Sequence, residues 1–218
     1  MEQNSEESIV EQAETNIYTI DLNSIDGKKN ILHELKGKVT MIVNVTGECA
    51  NSAQYPIIQN LYNEYRDQGF EVLAIPSIDF CQDAYGEFAD SNTSAENMRD
   101  HMKVLYDTDL PFSEMVNILN ENCKLSYYEV SGKQHALYEQ FQKNRDPVHG
   151  NFEKFIVSRD GQRYVRFCNS DLLDLAFNSG NRQTNSEQAL NNIKKTIEKL
   201  LSESYNESNI NENSSESA

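Results

Sequence analysis

The sequence predicts an α/β fold in which a mixed β-sheet is flanked by helices on both faces. Three stretches predict it. Val39–Val45 (VTMIVNV) is almost wholly apolar, rich in β-branched residues and bounded by Gly37 and Gly47, as a buried strand requires. Residues 54–68 then place Ile57, Ile58, Leu61, Tyr62 and Tyr65 at helical spacing, with Gly69 where a C-terminal cap belongs. Residues 70–75 (FEVLAI) make the next strand, closed by Pro76 and completing a strand–helix–strand unit. Further along, residues 152–157 and Arg163–Phe167 flank the turn Arg159-Asp160-Gly161, which predicts a β-hairpin.

The other elements follow in order. Residues 17–22 alternate apolar and polar side chains and meet the turn Asp26-Gly27, so a short strand or hairpin is expected there. Residues 77–93 read as a loop, and residues 94–104 as a helix capped by Ser94. A final helix over residues 186–201 presents Ala189, Ile193, Ile197 and Leu200 on one face. A βαβ unit followed by ββα is the thioredoxin-like arrangement. No internal repeat is visible.

Composition narrows the function. The chain has 218 residues, 38% of them hydrophobic, and a net charge of −16; its mean hydropathy is −0.69. That length suits one domain. The negative charge argues against nucleic-acid binding, because phosphate contacts need clustered Lys and Arg. No apolar run is long enough for a membrane span, and no signal peptide is visible in residues 1–14. The expectation is therefore a cytoplasmic protein with neither nucleic-acid nor membrane partners. Residues 1–14 hold five acids and no base, and residues 202–218 hold four acids and no base among many Ser and Asn. Both ends read as disordered acidic tails around a domain at residues 15–201.

Four cysteines stand at positions 49, 81, 123 and 168. Without a secretory signal they read as thiols rather than a disulfide framework, and no cysteine–histidine spacing suggests a metal site. Cys49 follows the first buried strand, with a helix beginning a few residues later. A thiol at a helix N-terminus meets unpaired N–H groups and the positive end of the dipole, both of which favour thiolate. On position alone, a reactive thiol and a buried structural Cys remain equally open.

Longer stretches carry a resemblance. IYTIDLNSIDGKKNILHELKGKVTMIVNV, NVTGECANS, QYPIIQNLYNEYRDQGFEVLAIPS, HALYEQF and NFEKFIVSRDGQRYVRF, in this order, resemble the glutathione peroxidase family over most of residues 17–201. The family's Asn-Val-Ala-Ser-x-Cys-Gly-x-Thr motif aligns with NVTGECANS and puts Cys49 on the peroxidatic position. The resemblance implies a thiol peroxidase that reduces hydrogen peroxide or organic hydroperoxides. The Cys thiolate takes an oxygen, and the sulfenic acid is reduced by glutathione or by a thioredoxin-type protein. It implies no cofactor, with glutathione as a co-substrate.

The family surrounds its nucleophile with Gln, Trp and Asn. The Asn matches Asn151. The Trp position is Gly150, and the chain has no Trp at all. The Gln falls on Asp83 in a gapless alignment and on Gln82 with a one-residue deletion; Gln82 is favoured because a carboxylate would disfavour the thiolate. Glu48, beside Cys49, is a second departure. The family's resolving Cys position holds Met102, which leaves Cys81 as the candidate partner for Cys49. His135 opens the HALY-like helix and is not expected to pair with a cysteine. These departures keep a second reading open, a catalytically degenerate member acting as a redox sensor or binding module.

Overall fold

A computed structural model of the chain describes residues 9–47, 49–77, 79–80, 94–120, 132–177 and 183–205. Its strands are β1 (Val10–Gln12), β2 (Val39–Val45), β3 (Phe70–Pro76), β4 (Lys154–Val157) and β5 (Arg163–Phe167). They form one sheet in the order β1-β5-β4-β2-β3. β2 and β3 run parallel, and β2–β4, β4–β5 and β5–β1 run antiparallel. The helices are α1 (Tyr55–Tyr65), α2 (Ala95–Tyr106), α3 (Ala136–Gln142), α4 (Leu173–Ala176) and α5 (Gln183–Ser202).

Period-two alternation along the strands divides the core into two layers. Val39, Met41, Val43 and Val45 of β2 pack with Ile58, Leu61 and Tyr65 of α1 and with Ile193, Ile197 and Leu200 of α5. Ile42, with Leu73, Ile75, Phe155 and Val157, packs instead against Leu137, Tyr138 and Phe141 of α3 and against residues 17–35. Every residue of β2 is buried, which is why its sequence reads as a continuous apolar run. Turn chemistry acts where expected. Gly69 (φ 95°) closes the helical segment, and Gly161 (φ 71°) turns the β4–β5 hairpin. The Ser94 hydroxyl accepts from the Asn97 N–H at 3.1 Å and caps α2.

Two expectations are corrected. Residues 17–22 form no strand: Ile17–Thr19 is a 3-10 turn, because Asn16 Oδ1 accepts the Tyr18 N–H at 2.9 Å and so competes with a ladder. Ile17, Tyr18, Ile20 and Leu22 are nevertheless buried, without strand pairing. The tails are also shorter than expected. β1 lies inside the stretch read as disordered and pairs with β5, with Val10 opposite Val165. Ala13 beyond it is buried. At the other end Arg163 pairs with Glu203 at 2.5 Å, and a Cβ on Gly37 would lie 3.2 Å from the Tyr205 ring. Backbone pairing and ring contact hold segments whose composition alone predicts disorder.

Candidate active site

Topology assembles the site. β4 runs antiparallel to β2, so the turn entering β4 lies beside the C-terminal end of β2, where the chain continues to Cys49. The end of β5 reaches the same edge, since Phe167 pairs with Lys154. Cys49, Asn151 and the turn at Cys168 therefore gather at one end of the sheet.

Cys49 is half-buried and is the N-cap residue of the 3-10 turn Ala50–Gln54. Its N–H donates to Ser52 Oγ at 3.1 Å, and the Ser52 hydroxyl lies 3.7 Å from Cys49 Sγ. The Ser52 N–H also reaches the sulfur, and the Asn51 N–H and, least of all, the Asn151 side chain lower the thiol's pKa as neighbouring donors. All four donors pull the thiol toward ionisation. Burial pushes it the other way and prevails, so the Cys49 pKa is raised. The N–H donors expected at this position are present and favour thiolate, but desolvation outweighs them.

Asn151 is buried in the turn that leads into β4. Asn51 Nδ2 donates to the Asn151 carbonyl at 3.0 Å. The next residue, Phe152, adopts φ 73°, a left-handed conformation uncommon for a non-glycine. Its ring packs edge-on against Tyr55 of α1 at 4.9 Å between centroids.

Beneath the 3-10 turn lies a cation that the sequence reading missed. Lys154 is fully buried. Its Nζ donates to Gln54 Oε1 at 2.7 Å, to the Cys168 carbonyl at 3.1 Å and to the Asn169 carbonyl at 3.5 Å. Gln54 Nε2 also donates to the Asn169 carbonyl at 2.8 Å. Burial lowers the Lys154 pKa to about 8, against the pull of Asp171 and Glu153. A signal was available: Lys154 alternates with Phe155 and so shares the core-facing side of Ile156. Ser52, three residues after Cys49, likewise fits the spacing of a capping box.

Among the other candidates, Gln82, Asp83, Cys81, Glu48 and Cys123 lie outside the described residues. Met102 is buried in the core. Cys168 is exposed, and its N–H donates to Asp171 Oδ2 at 2.8 Å. His135 caps α3, with Nδ1 accepting the Leu137 N–H at 3.2 Å.

The glutathione peroxidase family model matches residues 17–130, just over half of the chain. The chain belongs to the glutathione peroxidase family. Relatives agree. The hydroperoxy fatty acid reductase of Synechocystis sp. is 28% identical over 156 residues, covering 72% of this chain and 88% of that protein. A probable mitochondrial glutathione peroxidase of Arabidopsis thaliana is 29% identical over 165 residues, covering 75% and 74%. Among solved structures, T. cruzi GPX1 superposes with a TM-score of 0.53 at 22% identity, covering 86% of this chain and 97% of that one. The fold is thus the thioredoxin-like fold of this family. At Gly150, which the sequence resemblance sets on the family's Trp position, the Asn169 side chain occupies the adjoining space: a Cβ built on Gly150 would lie 2.5 Å from Asn169 Nδ2.

Proposed function

We propose that this glutathione peroxidase family member is a thiol peroxidase whose nucleophile is Cys49. The placement of Asn151 at the Cys49 end of the sheet, tied to the turn after Cys49 through Asn51, supports this reading, because it brings an amide donor to the reactive-thiol candidate and draws the thiol toward ionisation. The thiolate attacks one oxygen of hydrogen peroxide or an organic hydroperoxide, and the O–O bond breaks. The departing oxygen takes a proton and leaves as water or alcohol, and Cys49 becomes a sulfenic acid. The Asn151 amide and the N–H groups of the 3-10 turn are donors aimed at the charge moving from sulfur to the leaving oxygen. A reducing thiol, glutathione or a thioredoxin-type protein, then forms a mixed disulfide with Cys49 and expels water. A second thiol releases the restored Cys49. Such a cycle needs a thiol supply, which favours the cytoplasm as its compartment. Gln82 is the side chain we assign to the family's Gln position and Cys81 the internal resolving candidate; both assignments rest on sequence.

The burial-raised Cys49 pKa favours a second reading, a slow sensor thiol on a peroxidase scaffold. Stopped-flow oxidation by hydrogen peroxide separates the two. Rapid stoichiometric sulfenate formation on Cys49, abolished in Cys49→Ser, is expected. A rate no faster than a free thiol supports the sensor, and undiminished turnover in Cys49→Ser overturns both.

A further inference from the structure

We propose that Asn44 is a positioning residue, holding Asn151 against Cys49 through a side-chain clamp on the turn that precedes β4; this rests on the peroxidase reading of the site. Asn44 is the penultimate residue of β2, a polar side chain with no exposed surface in an otherwise largely apolar strand. The β2–β4 ladder reaches only to Val43 opposite Lys154. Beyond that point the Asn44 side chain takes over the pairing. Its Nδ2 donates to the Gly150 carbonyl at 3.0 Å, and its Oδ1 accepts the Glu153 N–H at 3.0 Å. Its own carbonyl accepts the Phe152 N–H at 2.7 Å.

Residues 150, 152 and 153 are therefore all tied to Asn44. Asn151 between them sets its side chain beside Cys49, where it draws the thiol toward ionisation, while Asn51 holds its carbonyl. The clamp also holds Phe152 at φ 73°, a conformation a non-glycine keeps only where its surroundings impose it. Only a side chain offering one donor and one acceptor at amide spacing can serve both ends. Asp would set an oxygen against the Gly150 carbonyl, and Ala would leave a buried C=O and a buried N–H without their partners.

The test is a double-mutant cycle on the whole chain, with Asn151→Ala, Asn44→Ala and the double variant. Cys49 oxidation by hydrogen peroxide and the pH profile of its alkylation by iodoacetamide are measured, and thermal unfolding confirms folding. Losing a hydrogen bond to a charged group implies a roughly tenfold to hundredfold slower oxidation in Asn151→Ala. Asn44→Ala is expected to slow oxidation comparably and to move the alkylation midpoint upward. The double variant is expected to be no slower than Asn151→Ala alone, as two residues acting through one contact require. A purely structural Asn44 leaves the alkylation midpoint in place, and that result overturns the proposal, as do effects that multiply. Should Asn44→Ala fail to fold, Asn44→Asp keeps the acceptor for Glu153 and is read the same way; failure of both to fold makes Asn44 structural and overturns the proposal. If Asn151→Ala changes neither readout, the site reading itself falls and Asn44 falls with it. If Asn151→Ala slows oxidation and Asn44→Ala does not, only the clamp fails.

Discussion

Cys49 stands at an N-cap position, where serine is among the preferred residues. Cys49→Ser should therefore leave the unfolding temperature unchanged or slightly raised while removing peroxide consumption. Beside the site, Gly150 is the residue that the sequence resemblance sets on the family's Trp position. Its φ lies outside the left-handed region, so the backbone accepts a side chain there, and the obstacle is the Asn169 amide at 2.5 Å. That amide is the far end of a half-exposed side chain, whereas the Asn169 carbonyl that Gln54 uses belongs to the backbone. Loss of one preorganised donor typically costs about 10²–10³ in rate. Gly150→Trp combined with Asn169→Ala should therefore speed Cys49 oxidation by about tenfold or more, since it restores an indole N–H and excludes water. Stopped-flow measurement decides: a folded double variant that oxidises at the original rate means that the missing Trp does not limit this site.

Lys154 ties three elements together, joining β4 to the 3-10 turn after Cys49 and to the turn after β5. Its pKa is lowered to about 8 in the folded chain, whereas an unfolded Lys titrates near 10.4. Between those values the unfolded state binds more protons, so folding stability rises with pH through this window. A charged Lys154 costs the fold roughly 3 kcal/mol below pH 8 relative to its neutral form. Urea unfolding of the unmodified chain and of Lys154→Met, at pH 7.5 and 10.5, should show the former gaining roughly that amount on the latter. Buried tyrosines, raised by desolvation in the folded chain, also make stability pH-dependent as unfolded tyrosines begin to ionise at about pH 10, but they are common to both proteins and cancel. An unchanged difference would mean that Lys154 is not held in this state. Elements differed in how far they could be read from sequence. β2, α1 and the hairpin were legible because apolar spacing and Gly69 or Gly161 state them locally. The 3-10 turn at residues 17–19 was not, because it depends on Asn16 bonding forward to Tyr18 and across to the Asp160 carbonyl. At the site, a family pattern singled out Cys49 and Asn151, and the topology brings both to one end of the sheet. Lys154–Gln54 and the Asn44 clamp were not legible, since each joins residues about a hundred positions apart in the chain.

At the scale of the whole molecule, the acidic composition of the N-terminal segment misleads about where the folded body begins. Val10–Gln12 add an edge strand to β5, the Ala13 N–H donates to the Gln162 carbonyl at 2.7 Å, and Arg145 reaches Glu11 at 3.1 Å. Charge argues for solvation of this stretch, yet strand pairing satisfies its backbone and covers the outer edge of β5. A chain beginning at Thr15 should therefore be less stable than one beginning at Ile9. Backbone hydrogen bonds contribute about 1 kcal/mol each, and with several of them lost the deficit should be about 2 kcal/mol. For a chain of this size that lowers the unfolding temperature by about 4–8 °C. The uncovered β5 edge should also make the shorter chain associate at high concentration. Calorimetry and light scattering on the two chains check both effects. Cys49 oxidation should stay the same, because β1 lies at the far side of the sheet order from β2. Equal unfolding temperatures would return residues 9–14 to the tail that their composition suggests.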